Sequence, residues 1–230
     1  MIKQIRKPVF MFATIMASSI ILSGCIVHVN AKDHRYESRH DLSSDDFSTT
    51  NKRVDVPDNT SAGEVSSVNG RLSMGDHVSA ERVTNVNGKI SIGDHVSVSA
   101  VKSVNGKVEI GEHFSATNDV STVNGAIQIN ENSEVGGDVN TVNGSIKLTR
   151  VKVAQDVVTK NGSIYLNDES VVKGDIVFQE VNQKYYSWGN KNPTLSIDES
   201  STVEGYIILK REVTLDIDNE ALLSKVKREY

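Results

Sequence analysis

The sequence predicts an all-β fold: a single-stranded parallel β-helix of about eight coils of 18–19 residues, closed by a short C-terminal capping segment. Three observations predict it. Asn-Gly recurs at Asn69, Asn87, Asn105, Asn124, Asn143 and Asn161, at intervals of 18, 18, 19, 19 and 18 residues. Aliphatic residues fall three and five places after each asparagine: Leu72 and Met74, Ile90 and Ile92, Val108 and Ile110, Ile127 and Ile129, Ile146 and Leu148, Ile164 and Leu166. Finally, only 37% of the 230 residues are hydrophobic and 5% aromatic, too little for helices packed on sheets but suited to a narrow aliphatic column.

The apolar pair after each asparagine alternates with polar residues, which marks a short strand with one buried face. A second apolar cluster lies nine to eleven places on (Val78; Val96 and Val98; Phe114 and Ala116), and a third just before the next asparagine (Val83 and Val86; Val101 and Val104; Val120 and Val123). Three short strands and three turns thus share one repeat. So small a unit cannot bury its apolar face alone, so units must stack. Helical repeats and propeller blades need about twice this length. Stacking at about 4.8 Å sets each corner asparagine above its predecessor, as in an amide ladder. Asn-Gly also suits a corner that needs positive φ.

Residues 1–24 carry Lys3, Arg6 and Lys7 and no acid, followed by an apolar run from Pro8 to Leu22. These are the charged and apolar regions of a secretory signal peptide, and the run is shorter than the roughly 20 residues of a spanning helix. Leu22-Ser23-Gly24-Cys25 resembles a bacterial lipobox, and Cys25 is the only cysteine of the chain. The resemblance implies cleavage before Cys25, its acylation with palmitate-type chains, and a lipoprotein of the bacterial cell envelope. Ile26 stands where an Asp would favour inner-membrane retention, which implies the outer membrane. One cysteine leaves no disulfide framework and no cysteine-based zinc site.

Loss of the signal peptide removes three bases and no acid from a chain that already carries a formal net charge of −5. The exported protein is therefore acidic, which argues against nucleic acid as a partner and leaves the membrane to be held through acyl chains. Residues 25–63 are polar and nearly free of apolar periodicity, and are expected to form a flexible tether. A coil of about 35 residues reaches roughly 30–35 Å. His28, His34 and His40 lie six apart in it, which is no same-face spacing, and are read as solvated.

The solenoid domain is expected over 64–230. After the sixth Asn-Gly, the pattern from Ile164 to Phe178 is echoed from Leu195 to Leu209, an offset of 31 that marks an insertion near 179–193. It contains Tyr185, Tyr186 and Trp188, candidate partner contacts on a rigid scaffold. A last strand at Val213–Ile217 precedes Ala221, Leu222, Leu223 and Val226, which can share a helical face. A short helix or strand there would cover the open end.

The Ser/Thr-Val-Asn-Gly units at Ser67–Gly70, Thr122–Gly125 and Thr141–Gly144 resemble the adhesin-type β-solenoid families of bacterial envelopes. Val135-Gly136-Gly137-Asp138-Val139 and Val172-Lys173-Gly174-Asp175-Ile176 are similar to elements of bactofilins, the polymer-forming cytoskeletal β-helix proteins. The resemblance spans roughly residues 64–217. It implies a right-handed parallel β-helix without enzymatic activity, whose relatives polymerise end to end without nucleotide. The lipobox, long tether and aromatic insertion depart from the bactofilin pattern.

Gly75-Asp76-His77, Gly93-Asp94-His95 and Gly111-Glu112-His113 occupy one turn in three consecutive coils, followed by Glu131-Asn132. Stacking brings their imidazoles about 5 Å apart. A straight ladder does not converge three nitrogens on one ion at about 2.1 Å, so no metal and no cofactor is expected, and each acid is read as offsetting its histidine. Ile110–Ser115 fits one hexapeptide unit of the left-handed acyltransferases, but apolar spacings of three, five, nine and eleven break that rule. Polysaccharide-cleaving β-helices need a convergent acid or base cluster, which this pattern lacks. The expected role is a non-catalytic, adhesin-like structural or interaction module in the cell envelope. Its expected partners are the membrane, through the lipid, and an envelope protein or polysaccharide. A bactofilin-like, self-polymerising scaffold is the second reading, with self-association its hallmark, and a carbohydrate-active or acyltransferase enzyme the third.

Overall fold

Val, Ile and Leu at alternate positions leave each strand with one face to bury, and the computed structural model buries these faces inside a parallel β-solenoid of about ten turns. It describes residues 45–181 and 192–230. Each coil contributes one strand, immediately after its corner, to a nine-stranded parallel sheet that runs from Val54–Val56 to Thr214–Ile217. The register is strict: Ile90 lies beside Val108, Val108 beside Ile127, and Ile127 beside Ile146. The remaining strands form one fifteen-stranded sheet that wraps the other two sides.

That second sheet changes form along the axis. In the first coils it consists of nine-residue strands, Ser61–Asn69, Ser79–Asn87 and Ser97–Asn105. The next coil divides the strand into Ser115–Ala116 and Val120–Asn124, both paired with Ser97–Asn105. Its extra residue sits at this break: Thr117-Asn118-Asp119 replaces Ser99-Ala100, and a bent strand becomes a true corner.

Inside runs one continuous aliphatic column. Ile90, Val96, Val101, Val108, Ile127, Ile146, Ile164 and Ile176 are all essentially inaccessible to water, and Phe114 and Phe178 are among its largest members. Burying each such aliphatic side chain contributes about 1.5–3 kcal/mol, so every added coil extends the core.

Four expectations need correction. The solenoid begins before residue 64: Asp45–Thr49 pairs with Ser61–Asn69, and Val54–Val56 with Leu72–Met74. Here Asn51-Lys52 stands where later coils carry Asn-Gly, with Val54 and Val56 three and five places on, so a whole coil lies within the expected tether. The count rises accordingly from eight to about ten. Second, Val86, Val104 and Val123 do not enter the core. Period-2 geometry points Val83, Val101 and Val120 inward and turns the others outward, leaving Val104 40% exposed. Third, among the described residues only Gly88 of the glycines has positive φ. The corner glycines answer a steric demand instead: a Cβ at Gly106, Gly125, Gly144 or Gly162 would collide with the carbonyl oxygen of the glycine one coil below.

Fourth, the end segment does not present one apolar helical face. It forms a 3-10 helix, Glu220–Lys225, capped by the Asn219 side chain, then a strand, Val226–Arg228, paired with Ile207–Leu209. Leu222 is buried, whereas Leu223 is 48% exposed. The Lys225 ammonium donates to the carbonyls of Val203 and Glu204 at 2.6 and 3.0 Å. Lys227 lies over the Tyr206 ring, 3.1 Å from its centroid. The described residues all belong to one compact unit, Leu42–Tyr230.

Two outcomes follow from this packing. Gly144→Ala should lower the free energy of denaturant unfolding by more than about 2 kcal/mol, while Ser145→Ala at the same corner should change it by less than about 0.5 kcal/mol. Removal of residues 219–230 should expose the Ile207–Leu209 edge and produce concentration-dependent association in sedimentation velocity.

Candidate functional site

The outward corner asparagines form a hydrogen-bonded column. Each Nδ2 donates to the Oδ1 of the preceding coil, at 3.0 Å from Asn69 to Asn51, and at 2.7, 2.9, 2.7, 2.7 and 2.8 Å for Asn87, Asn105, Asn124, Asn143 and Asn161 in turn. This leaves the Oδ1 of Asn161 as the terminal acceptor. Arg211, at a later corner and buried, donates to it at 3.2 Å and to the Lys160 carbonyl at 3.0 Å.

Two further ladders were not apparent from the repeat. Behind the asparagines, Ser103, Thr122, Thr141 and Thr159 point inward and donate to corner glycine carbonyls, while Asn85 donates to both Gly70 and Gly88. At the other corners, aspartates link coil to coil. The backbone N–H groups of Asp76, Asp94 and Glu112 donate to the carboxylates of Asp58, Asp76 and Asp94. Likewise Asp138, Asp156, Asp175 and Tyr206 donate to Asp119, Asp138, Asp156 and Asp175. The glycine before many of these aspartates is part of the device: a Cβ at Gly93 would occupy the space of the Asp76 carboxylate. Asp76 and Asp94, beside two of the three histidines, thus also hold the next coil.

Asp138 shows the cost of such a column. Burial pushes its carboxyl above the ordinary value of 3.8, opposed by the Asp156 N–H and reinforced by the charges of Asp119 and Asp156.

His77, His95 and His113 occupy one turn with φ of 56°, 56° and 55°, and Asn59 and Asn132 adopt the same left-handed conformation on either side. The three rings stack face to face, with centroids 4.8 and 4.4 Å apart and planes within 15° and 14°. Parallel planes aim the ring nitrogens side by side rather than at a common point. Among the described residues no group of three His, Cys, Asp or Glu is placed to hold a metal ion.

The structure also has a concavity that sequence reasoning did not single out. On the outer face of the nine-stranded sheet, Lys147, Thr149, Tyr165, Asn167, Asp168 and Asp198 line a shallow groove of about 500 Å³. Register places Lys147 and Ser196 on either side of Tyr165, and Thr149 beside Asn167. Asp198 closes the adjoining turn: it accepts from the N–H groups of Asp168 at 2.6 Å and Ser201 at 2.8 Å, and from the Ser200 hydroxyl at 3.1 Å. Burial opposes its ionisation, but the hydrogen bonds from Ser201, Asp168 and Ser200 prevail and hold its carboxyl below the usual range. Asp168 and Glu169, at the lip, are consecutive non-glycine residues with φ of 54° and 62°.

Cys25, Tyr185, Tyr186 and Trp188 lie outside the described residues. Among those described, no helix is long and apolar enough to cross a membrane. In comparisons with known proteins the chain matches no family model, no curated protein and no solved structure.

Because folding raises the Asp138 pKa, its contribution to stability is full below about pH 3.8 and is lost as pH rises through the folded value. Asp138→Asn keeps an oxygen acceptor without the charge. It should raise the thermal midpoint at pH 7, with the difference from the parent chain closing as pH falls toward 3.

Proposed function

We propose that this chain is a lipid-anchored β-solenoid of the bacterial cell envelope, held through acylated Cys25 and acting as an adhesin-like structural and interaction module. The observation that carries the reading is the continuity of the ladders. The asparagine column runs from Asn51 to Asn161 and is capped by Arg211, and the second aspartate column runs from Asp119 to Tyr206. Such columns resist shear between coils and suit a stiff rod that holds its outer faces in fixed register. The repeating acids are engaged with backbone N–H groups, which favours a structural role for them over acid–base catalysis. The signal peptide and the Leu22-Ser23-Gly24-Cys25 segment support export and acylation, and Ile26 supports the outer membrane.

A self-polymerising scaffold is the second reading. It requires an accessible end coil, and the Lys225–Val203 and Lys227–Tyr206 contacts across the C-terminal end weigh against it. Metabolic labelling with palmitate in a Gram-negative bacterial host tests the first reading. The full chain should be labelled and sediment with outer membranes, and Cys25→Ala should lose the label and that sedimentation. Unlabelled wild-type chain, or membrane attachment unchanged in Cys25→Ala, would overturn it. Filaments of the purified full chain in electron micrographs would favour the scaffold instead.

A further inference from the structure

We propose that the groove around Tyr165 binds an uncharged oligosaccharide of pyranose rings, with the Tyr165 ring as its platform. The proposal deepens the interaction-module reading and rests on it.

The outward row of the nine-stranded sheet runs Asp55, Ser73, Ser91, Glu109, Gln128, Lys147, Tyr165, Ser196, Asp216. A polar, solvent-facing row of this kind needs no aromatic residue for packing, since the core lies on the opposite face. Yet Tyr165 stands in it, half-buried, at the concave part of the surface.

The groups around the ring have unused hydrogen-bonding capacity. Among the described residues, no hydrogen bond or ion pair engages the Lys147 ammonium, the Tyr165 hydroxyl, or the Asn167 and Asp168 side chains. By contrast, elsewhere in the same row Glu109 is paired with Lys89 and Lys107, and Ser196 donates to Asp216. The groove thus combines an aromatic face with a strong donor, an amide that both donates and accepts, and an acceptor-only carboxylate.

That set matches a pyranose ring, whose C–H face is apolar and whose rim of hydroxyls both donates and accepts. It fits other ligands less well. Asp168 and the ionised Asp198 stand against a phosphate or other anion. A peptide that binds by strand addition needs a free sheet edge, and the groove lies on a face in the sheet interior. The left-handed pair Asp168–Glu169 marks the same place: the earlier coils hold a single left-handed residue in this turn, and the additional one, Asp168, is at the lip.

Saturation-transfer NMR on the detergent-solubilised full chain tests the proposal, with N-acetylglucosamine, glucose and mannose tetramers as probes at millimolar concentration. Transfer to ring C–H protons of at least one tetramer is expected. Tyr165→Ala should weaken its binding about 10-fold, Tyr165→Phe should keep it, and Lys147→Ala should weaken it about 3-fold, with circular dichroism unchanged. No transfer to any of the three, or binding that survives Tyr165→Ala in a folded protein, would overturn the site. Should Tyr165→Ala not fold, Lys147→Ala and Asn167→Ala decide, and unchanged binding in both overturns it. Membrane attachment through Cys25 is scored on the same preparations. An acylated chain that gives no transfer sinks the saccharide site alone, whereas a non-acylated chain sinks the envelope reading whatever the NMR shows.

Discussion

From Gly70 to Gly162 one coil rests directly on the next because the corner backbone carries no Cβ, and much else in the molecule depends on that contact. At Gly106, Gly125, Gly144 and Gly162 the chain passes so close to the glycine carbonyl below that any side chain would intrude. The parallel-sheet hydrogen bonds set the coil spacing, the glycines let the corner follow it, and that spacing brings each asparagine amide within 2.7–3.0 Å of its predecessor. It also places the inward hydroxyls of Thr122 and Thr141 within reach of the same glycine carbonyls. Corner and ladder thus depend on a single steric fact. The aliphatic column supplies most of the favourable free energy and resists a one-residue slip, which would turn its side chains outward. The polar columns add to that selection, since the same shift strands every amide and carboxylate in them.

The solenoid and most of its corners were legible because the repeat is written in residue types that have few substitutes. Where the type changes, legibility failed. Asn51-Lys52 opens a coil without glycine, and without the dipeptide its valines at 54 and 56 read as stray apolar residues in a polar stretch. Val86, Val104 and Val123 misled for the opposite reason: their hydrophobicity suggested the core, while strand alternation had already assigned inward places to Asn85, Ser103 and Thr122. A polar residue buried in a repeat is recognisable only when its partner, the carbonyl of a corner glycine, is in view. The aspartate columns were hidden similarly. Asp119, Asp138, Asp156 and Asp175 each act on a backbone N–H some 18 to 31 residues away, and nothing local marks that acceptor role.

The outer groove could not be found from periodicity, because it is a departure from periodicity. Tyr165 interrupts a polar row, Asp168–Glu169 interrupts a single-residue turn, and the two coincide only when coils are stacked. In a solenoid the inside of each coil is constrained by its neighbours, whereas its outside can change one coil at a time. Irregularities on the outer faces are therefore where individual chemistry should be sought. The histidine stack is regular by comparison, with three like residues in like geometry, and follows from repetition of the coil.

The asparagine column has one more property. Every amide in it is oriented alike, N–H toward the preceding coil and oxygen toward the following one, so their dipoles add along the rod instead of cancelling. Aligned hydrogen-bonded chains polarise one another, giving this edge a positive and a negative pole much as a helix has. The negative pole falls at Asn161, where the guanidinium of Arg211 neutralises it. The edge of the solenoid is in this sense an electrical vector with a defined head and a neutralised tail.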